Sequence, residues 1–133
     1  MDCPRCSGVE MEEMSLEDET VIRQCSECSS IWMDTADLTR LLVHNNLTGL
    51  DALGGRENLE DSAGTCPEDL IDLVVIQSVK DDSLSYAMCE ICGGLWLAQR
   101  ANGSPFQGET GEALLDEVIA FFGAFAAPNR ARV

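Results

Sequence analysis

Cys3-Pro4-Arg5-Cys6, and after 18 intervening residues Cys25-Ser26-Glu27-Cys28-Ser29-Ser30-Ile31-Trp32-Met33-Asp34, carry the reading of this chain. Two Cys-x-x-Cys pairs at this separation have metal-ligand spacing. The two-residue interval lets backbone N–H groups point at the sulfurs and stabilise the thiolates, and two such knuckles bring four soft donors to one tetrahedron. The constellation returns further along. Cys25, Cys28 and Trp32 recur as Cys89, Cys92 and Trp96, each 64 positions on, and Cys3 recurs as Cys66, 63 on. Such self-similarity marks a duplication. The one-residue discrepancy is assigned to the hairpin loop between the knuckles of each half.

In the second copy Asp69 stands where the first has Cys6. A carboxylate oxygen binds Zn²⁺ at nearly the distance of an imidazole nitrogen, so Cys66, Asp69, Cys89 and Cys92 read as a three-thiolate, one-carboxylate site. Cys3, Cys6, Cys25 and Cys28 read as a tetrathiolate, and two Zn²⁺ ions are expected. The alternatives are four free thiols without metal at the first site and, at the second, a lost ligand with a metal-free hairpin or a shell completed by water or another side chain. His44, the single histidine, is the candidate substitute, but it falls at the end of a predicted helix, where its charged form favours the dipole.

Each half reads as knuckle, β-hairpin, second knuckle and closing strand ending at a tryptophan. Thr20 to Gln24 leads into Cys25, and Ser30 to Met33 leads out of Cys28. In the second half Leu70 to Ile76 and Leu84 to Met88 alternate or are β-branched about a turn at Lys80-Asp81-Asp82-Ser83, and Gly94 to Leu97 closes the unit. Trp32 and Trp96 read as plugs of small cores. Asp34 caps a helix running to His44, with Asp37 near its positive end and Leu38, Leu41 and Leu42 on one face. The second half lacks a helix directly after Trp96. Its helix comes later, over Glu112 to Phe125, where Leu114, Leu115, Val118, Ile119, Phe122 and Phe125 are at helical spacing.

The fold class is therefore a small, metal-stabilised α+β protein of two zinc-ribbon hairpin units, each with an accompanying helix. The divisions are 1–45 for the first unit, 46–65 for a linker that starts with a short helical turn at Asn46 to Leu53, 66–127 for the second unit, and 128–133 for a tail. The chain has 133 residues, and half of that cannot bury enough apolar surface to outweigh its ordering entropy without a staple. Seven cysteines, an odd number at metal spacing, point to ligation in a reducing compartment rather than to disulfides.

From Cys3 to Leu42 closely, and from Cys66 to Leu97 more loosely, these residues resemble the small bacterial zinc ribbons classed as transcription-factor zinc-finger proteins, similar to the ribbon of general initiation factor IIB. Family members read Cys-Pro-x-Cys, then Cys-x-x-Cys-x-Gly-x-Trp-Leu-Asp with a Glu-Leu pair on the helix. Here Ser30 replaces the glycine, Met33 the leucine and Asp37 the glutamate; Gly94-Leu95-Trp96-Leu97 keeps the glycine and loses the aspartate. The resemblance implies a zinc-stabilised ribbon in protein or nucleic-acid contacts. Its link to transcription is an analogy of fold.

Charge weighs against the nucleic-acid half of that expectation. The formal net charge is −16, from 24 acidic and 8 basic residues, and two zinc ions with their thiolates take the loaded chain to about −19. Close approach to a phosphate backbone is unfavourable at that charge, so a protein partner is expected. The contacts are sought on apolar helix faces, above all the Phe106, Phe121, Phe122 and Phe125 cluster, for which the competing reading is this half's own core; self-association of the C-terminal helix into a homodimer is a further outcome. Met1-Asp2-Cys3 does not open a signal peptide, and Val118 to Ala127 is far short of the roughly 20 apolar residues of a membrane span. A cytoplasmic protein is expected.

A redox reading competes. A Cys-Pro-x-Cys dithiol enzyme needs a low-pKa cysteine at a helix N-terminus in a βαβ setting, and a hairpin follows Cys6 instead. A rubredoxin-like iron centre is chemically closer, because four thiolates also hold iron. Zinc catalysis at the second site needs an open position, a general base and a pocket, and the sequence shows neither of the last two. No enzyme activity and no catalytic residues are assigned.

Overall fold

The computed structural model describes residues 2–6, 8–16, 20–47, 55–58, 64–78 and 84–126. The turn at Lys80 to Ser83, the tail 128–133, most of the helical turn expected over Asn46 to Leu53, and much of the linker to Thr65 lie outside them.

Among the described residues seven strands and two helices run in the order β1 (Glu12–Ser15), β2 (Val21–Gln24), β3 (Ile31–Asp34), α1 (Thr35–His44), β4 (Gly55–Asn58), β5 (Val74–Ser78), β6 (Ser85–Met88), β7 (Gly94–Leu97) and α2 (Gly111–Ala126). The strands form one antiparallel sheet in the order β1-β2-β3-β7-β6-β5-β4. The two expected ribbons are thus joined edge to edge. Closing strand pairs with closing strand, Ile31 opposite Leu97, Trp32 opposite Trp96 and Met33 opposite Leu95. This register relates the halves by an approximate twofold axis between the tryptophans. The Cys25 N–H to Ser30 carbonyl bond sets the phase of the β2–β3 hairpin, and alternation from it makes Trp32–Trp96 a non-hydrogen-bonded pair, the kind whose side chains stand closer.

The structure differs from the sequence expectation at two places. Gly55–Asn58, expected in the linker, pairs with β5 as the outermost strand. The strand expected over Leu70 to Ile76 runs from Val74 to Ser78, because Cys66 to Leu70 is a turn closed by the Leu70 N–H to Cys66 carbonyl bond, 3.0 Å. The discrepancy in repeat length also has two parts. Leu16 N–H to Thr20 carbonyl and Ser78 N–H to Leu84 carbonyl close equivalent hairpins, so the second loop is longer by two residues, while the run from knuckle to hairpin is shorter by one.

Alternation divides the sheet into two faces. Ile31, Met33, Leu95 and Leu97 join Leu38 and Leu42 of α1 and Leu114, Val118, Phe121, Phe122 and Phe125 of α2 in one core. Trp32 and Trp96 lie with Cys3, Cys25, Cys66 and Cys89 in a second cluster. Central strand β7 is buried at all four positions, as expected where both faces of a sheet are covered.

The phenylalanines considered for a partner are spent in the chain's own core. Phe121, Phe122 and Phe125 are at most 2% exposed, and Tyr86 meets Phe122 edge-on with centroids 5.5 Å apart. Such burial supplies much of the cohesion that undersized halves would lack. Helix ends follow the residues that cap them. Asp34 accepts from the Ala36 N–H at 2.8 Å, Thr110 Oγ1 accepts from the Ala113 N–H at 3.1 Å, and buried Ser78 donates to the Phe125 carbonyl at 2.8 Å, satisfying a group in the last turn of α2. Among the described residues no helix is long and apolar enough to cross a membrane.

Candidate metal centres

Both predicted ligand sets come together on the face opposite the helices. Cys3, Cys6, Cys25 and Cys28 place four sulfurs within 4.8 Å of one another, and Cys66, Asp69, Cys89 and Cys92 do the same with three sulfurs and a carboxylate oxygen. All seven cysteines are free thiols. A zinc ion at about 2.3 Å from sulfur and about 2.1 Å from oxygen needs S···S edges of about 3.8 Å and S···O edges of about 3.6 Å. Cys3 to Cys28 is 3.6 Å and Cys66 to Cys92 is 3.7 Å. Asp69 Oδ2 lies 3.8 Å from the Cys66 sulfur and 3.3 Å from that of Cys89. Two sites that fit two Zn²⁺ ions are present.

Local backbone makes the knuckles. In the Cys25 turn the Glu27 and Cys28 N–H groups point at the Cys25 sulfur at 3.4 and 3.5 Å, and the Ser29 N–H closes onto the Cys25 carbonyl. In the second half the Asp69 N–H reaches the Cys66 sulfur at 3.4 Å and the Cys92 N–H the Cys89 sulfur at 3.5 Å. N–H groups aimed this way favour the thiolate that a soft dication takes.

The substitution of aspartate for cysteine follows a pattern of exposure. In each site the first ligand of each knuckle is buried and the second half-buried, and Asp69 holds the half-buried place that Cys6 holds in the first. A carboxylate loses more hydration on burial than a thiolate, so the outward position is where it costs least. His44 remains in the last turn of α1, outside both groups.

Thiol chemistry differs around the sites. Burial pushes Cys3 and Cys66 above the ordinary thiol range, and desolvation with the neighbouring Cys28 and Cys25 thiols pushes Cys6 up to about 12. Desolvation takes Cys92 to about 12 against the Gly94 N–H, which points at its sulfur at 3.4 Å. Burial raises Cys28 too, but the Ser30 hydroxyl and N–H outweigh it and bring that thiol to about 7. Fully buried Ser30 lies 3.1 Å from the Cys28 sulfur and 3.6 Å from that of Cys3. In the sequence it stands out only as the residue replacing a family glycine.

The two centres interlock across the axis. Gly94, the counterpart of Ser30, lies under the Trp32 indole, and a Cβ there would collide with the ring. Gly64, at φ 112°, passes so close to Pro4 of the first knuckle that a Cβ would stand 2.7 Å from its carbonyl oxygen. Arg5 of that knuckle lies over the Trp96 ring, 5.2 Å from the centroid, a contact of about 0.5–1 kcal/mol at an exposed site.

Residues 2–44 match the family described as transcription factor zinc-finger. That span holds the first site and α1 and ends before the second site, which repeats its pattern with one donor changed. No curated protein and no solved structure matches the chain.

Proposed function

We propose that this protein is a non-catalytic interaction module in which two structural zinc ions hold the exposed loops of one fused sheet in place for a protein partner, in the cytoplasm and in a setting related to transcription. The observation that carries it is closure of both ligand sets. Each group supplies four protein donors, which is the arrangement of structural zinc, whereas catalytic zinc keeps a position for water or substrate. Among the described residues the cleft between the first knuckles of the two halves offers one carboxylate, exposed Asp2, as a candidate base, and the two ligand sets beside it already have four donors each. The family match supports the link to transcription, and the net charge of −16 favours protein over nucleic acid as the contact.

Native mass spectrometry and metal analysis of protein from its own host test the metal reading. Two zinc ions per chain are expected. Asp69→Ala should keep one ion, and Asp69→Cys should restore the second; stoichiometric iron with visible colour would overturn the assignment in favour of electron transfer. Partners retained from host extract should be lost on chelation, and full retention by the metal-free chain would remove the case for ribbon-dependent binding.

A further inference from the structure

The approximate twofold axis leaves one asymmetry in the sheet. β4 covers the outer edge of β5, whereas among the described residues no strand pairs with the outer edge of β1, the counterpart of β5. The phase of both edges is fixed, since Leu16 bonds to Thr20 and Ser78 to Leu84 at equivalent points of the two hairpins. Alternation from there turns the backbone groups of Val75 and Gln77 outward, to Asn58 and Arg56 of β4. By the same alternation the N–H and carbonyl of Glu13 and Ser15 point outward from β1. The second half thus displays what such an edge accepts: a short extended segment, antiparallel, over four residues.

Charge selects the occupant. Residues 10–19 carry Glu10, Glu12, Glu13, Glu17, Asp18 and Glu19 and no basic residue. Glu12 and Glu13 are exposed, and Arg23 already pairs with Glu13 at 3.0 Å. A second copy offering its own β1 would set carboxylates against carboxylates, which is unfavourable between facing strands. A lysine opposite Glu13 extends the Arg23–Glu13 pair into a ladder on one face of the sheet, and a lysine opposite Glu12 meets that carboxylate on the other. An apolar residue opposite half-buried Met14, which packs against the helix-face core, continues that core outward.

We infer that the outer edge of β1 is a docking site for an extended basic segment of a partner protein, added antiparallel opposite Glu12–Ser15 as β4 is added to β5. Main-chain bonds supply affinity in this mode and alternate side chains supply selectivity. The inference rests on the interaction-module reading and names its partner class.

The test uses the zinc-loaded full chain, labelled for NMR, and the capped peptide Lys-Thr-Val-Lys-Lys-Thr. Shifts confined to β1 and β2 are expected, with slowed exchange of the Glu13 and Ser15 amides. Ser15→Pro removes an outward N–H and no bond to β2, so it should keep both zinc ions and lose the peptide, while Ser15→Ala should bind like the parent. As a second variant Glu12→Lys should weaken this peptide and take up one with glutamate in place of lysine. Equal binding by Ser15→Pro, shifts centred on the knuckles or α1, or no shift at all would overturn the edge assignment. None of those results touches the module reading, which fails separately if host partners stay bound after chelation.

Discussion

Leu70 is 78% exposed at φ 57°, the left-handed region that costs a side chain about 1–2 kcal/mol. The knuckle imposes this. The residue after the second ligand must turn its N–H back to the first ligand's carbonyl, and Ser29 and Gly93 do so at φ 64° and 75°. Leu70→Gly is therefore expected to stabilise the zinc-loaded protein by about 0.5–1 kcal/mol, read as a higher denaturation midpoint. Protons give a second prediction at this scale. Cys6 and Cys92 rise from 9.0 to about 12 in the folded metal-free chain. Groups raised in this way stabilise that fold below pH 9 and withdraw the stability as pH climbs from 9 towards 12. Zinc takes thiolates and releases protons, so loading has the opposite sign. Calorimetry should show apparent zinc affinity rising from about pH 6 to about pH 8, and melting curves should fall above pH 9 for the metal-free chain alone. The gathering of the eight donor side chains into two groups was legible from spacing and repeat; the reach of the Ser30 hydroxyl to two sulfurs was not, because a serine beside a knuckle has no pattern of its own.

Among the elements, those with a periodic apolar signal or a cap were readable. α1 begins after Asp34 as its capping chemistry requires, and α2 covers Gly111–Ala126 against an expected Glu112 to Phe125. β4 is not foreseen, and β1, implied by the first hairpin, has no bounds in the sequence reading, for a physical reason. Glu12-Glu13-Met14-Ser15 and Gly55-Arg56-Glu57-Asn58 are exposed edge strands, held by main-chain bonds and neighbours rather than by β-branched or alternating side chains. The helix-face core sets the prediction here. Phe122 is fully buried between Tyr86, Phe121 and Phe125, so Phe122→Ala should cost about 3–5 kcal/mol in chemical denaturation while leaving two zinc ions bound in the native protein. Loss of zinc at native conditions would instead show that the helix face and the metal face are one cooperative unit.

For the whole molecule, duplication could be read from the sequence but the joining of the copies could not. Pairing β3 with β7 bridges 60 to 66 positions, and no local pattern encodes it; the one hint is Gly94-Leu95-Trp96-Leu97, whose lack of polar residues suits a strand covered on both faces. A fragment experiment follows. Expressed alone with zinc, residues 1–47 expose the open side of β3 with Ile31, Met33, Leu38 and Leu42. Sedimentation should therefore find a self-associated species, with strand β3 paired to its copy and Trp32 facing Trp32, and a stable monomer would contradict a shared core. The Trp32–Trp96 axis also bears on how the second site came to differ. Two separate subunits meeting at that seam would part on dilution, and each would have to stand by its own metal. A covalent tether holds the second unit against the first at an effective concentration of about millimolar, so its fold draws on a neighbour that never diffuses away. Under that shelter a harder donor at one corner, Asp69, is tolerable in one unit while the other keeps its four sulfurs.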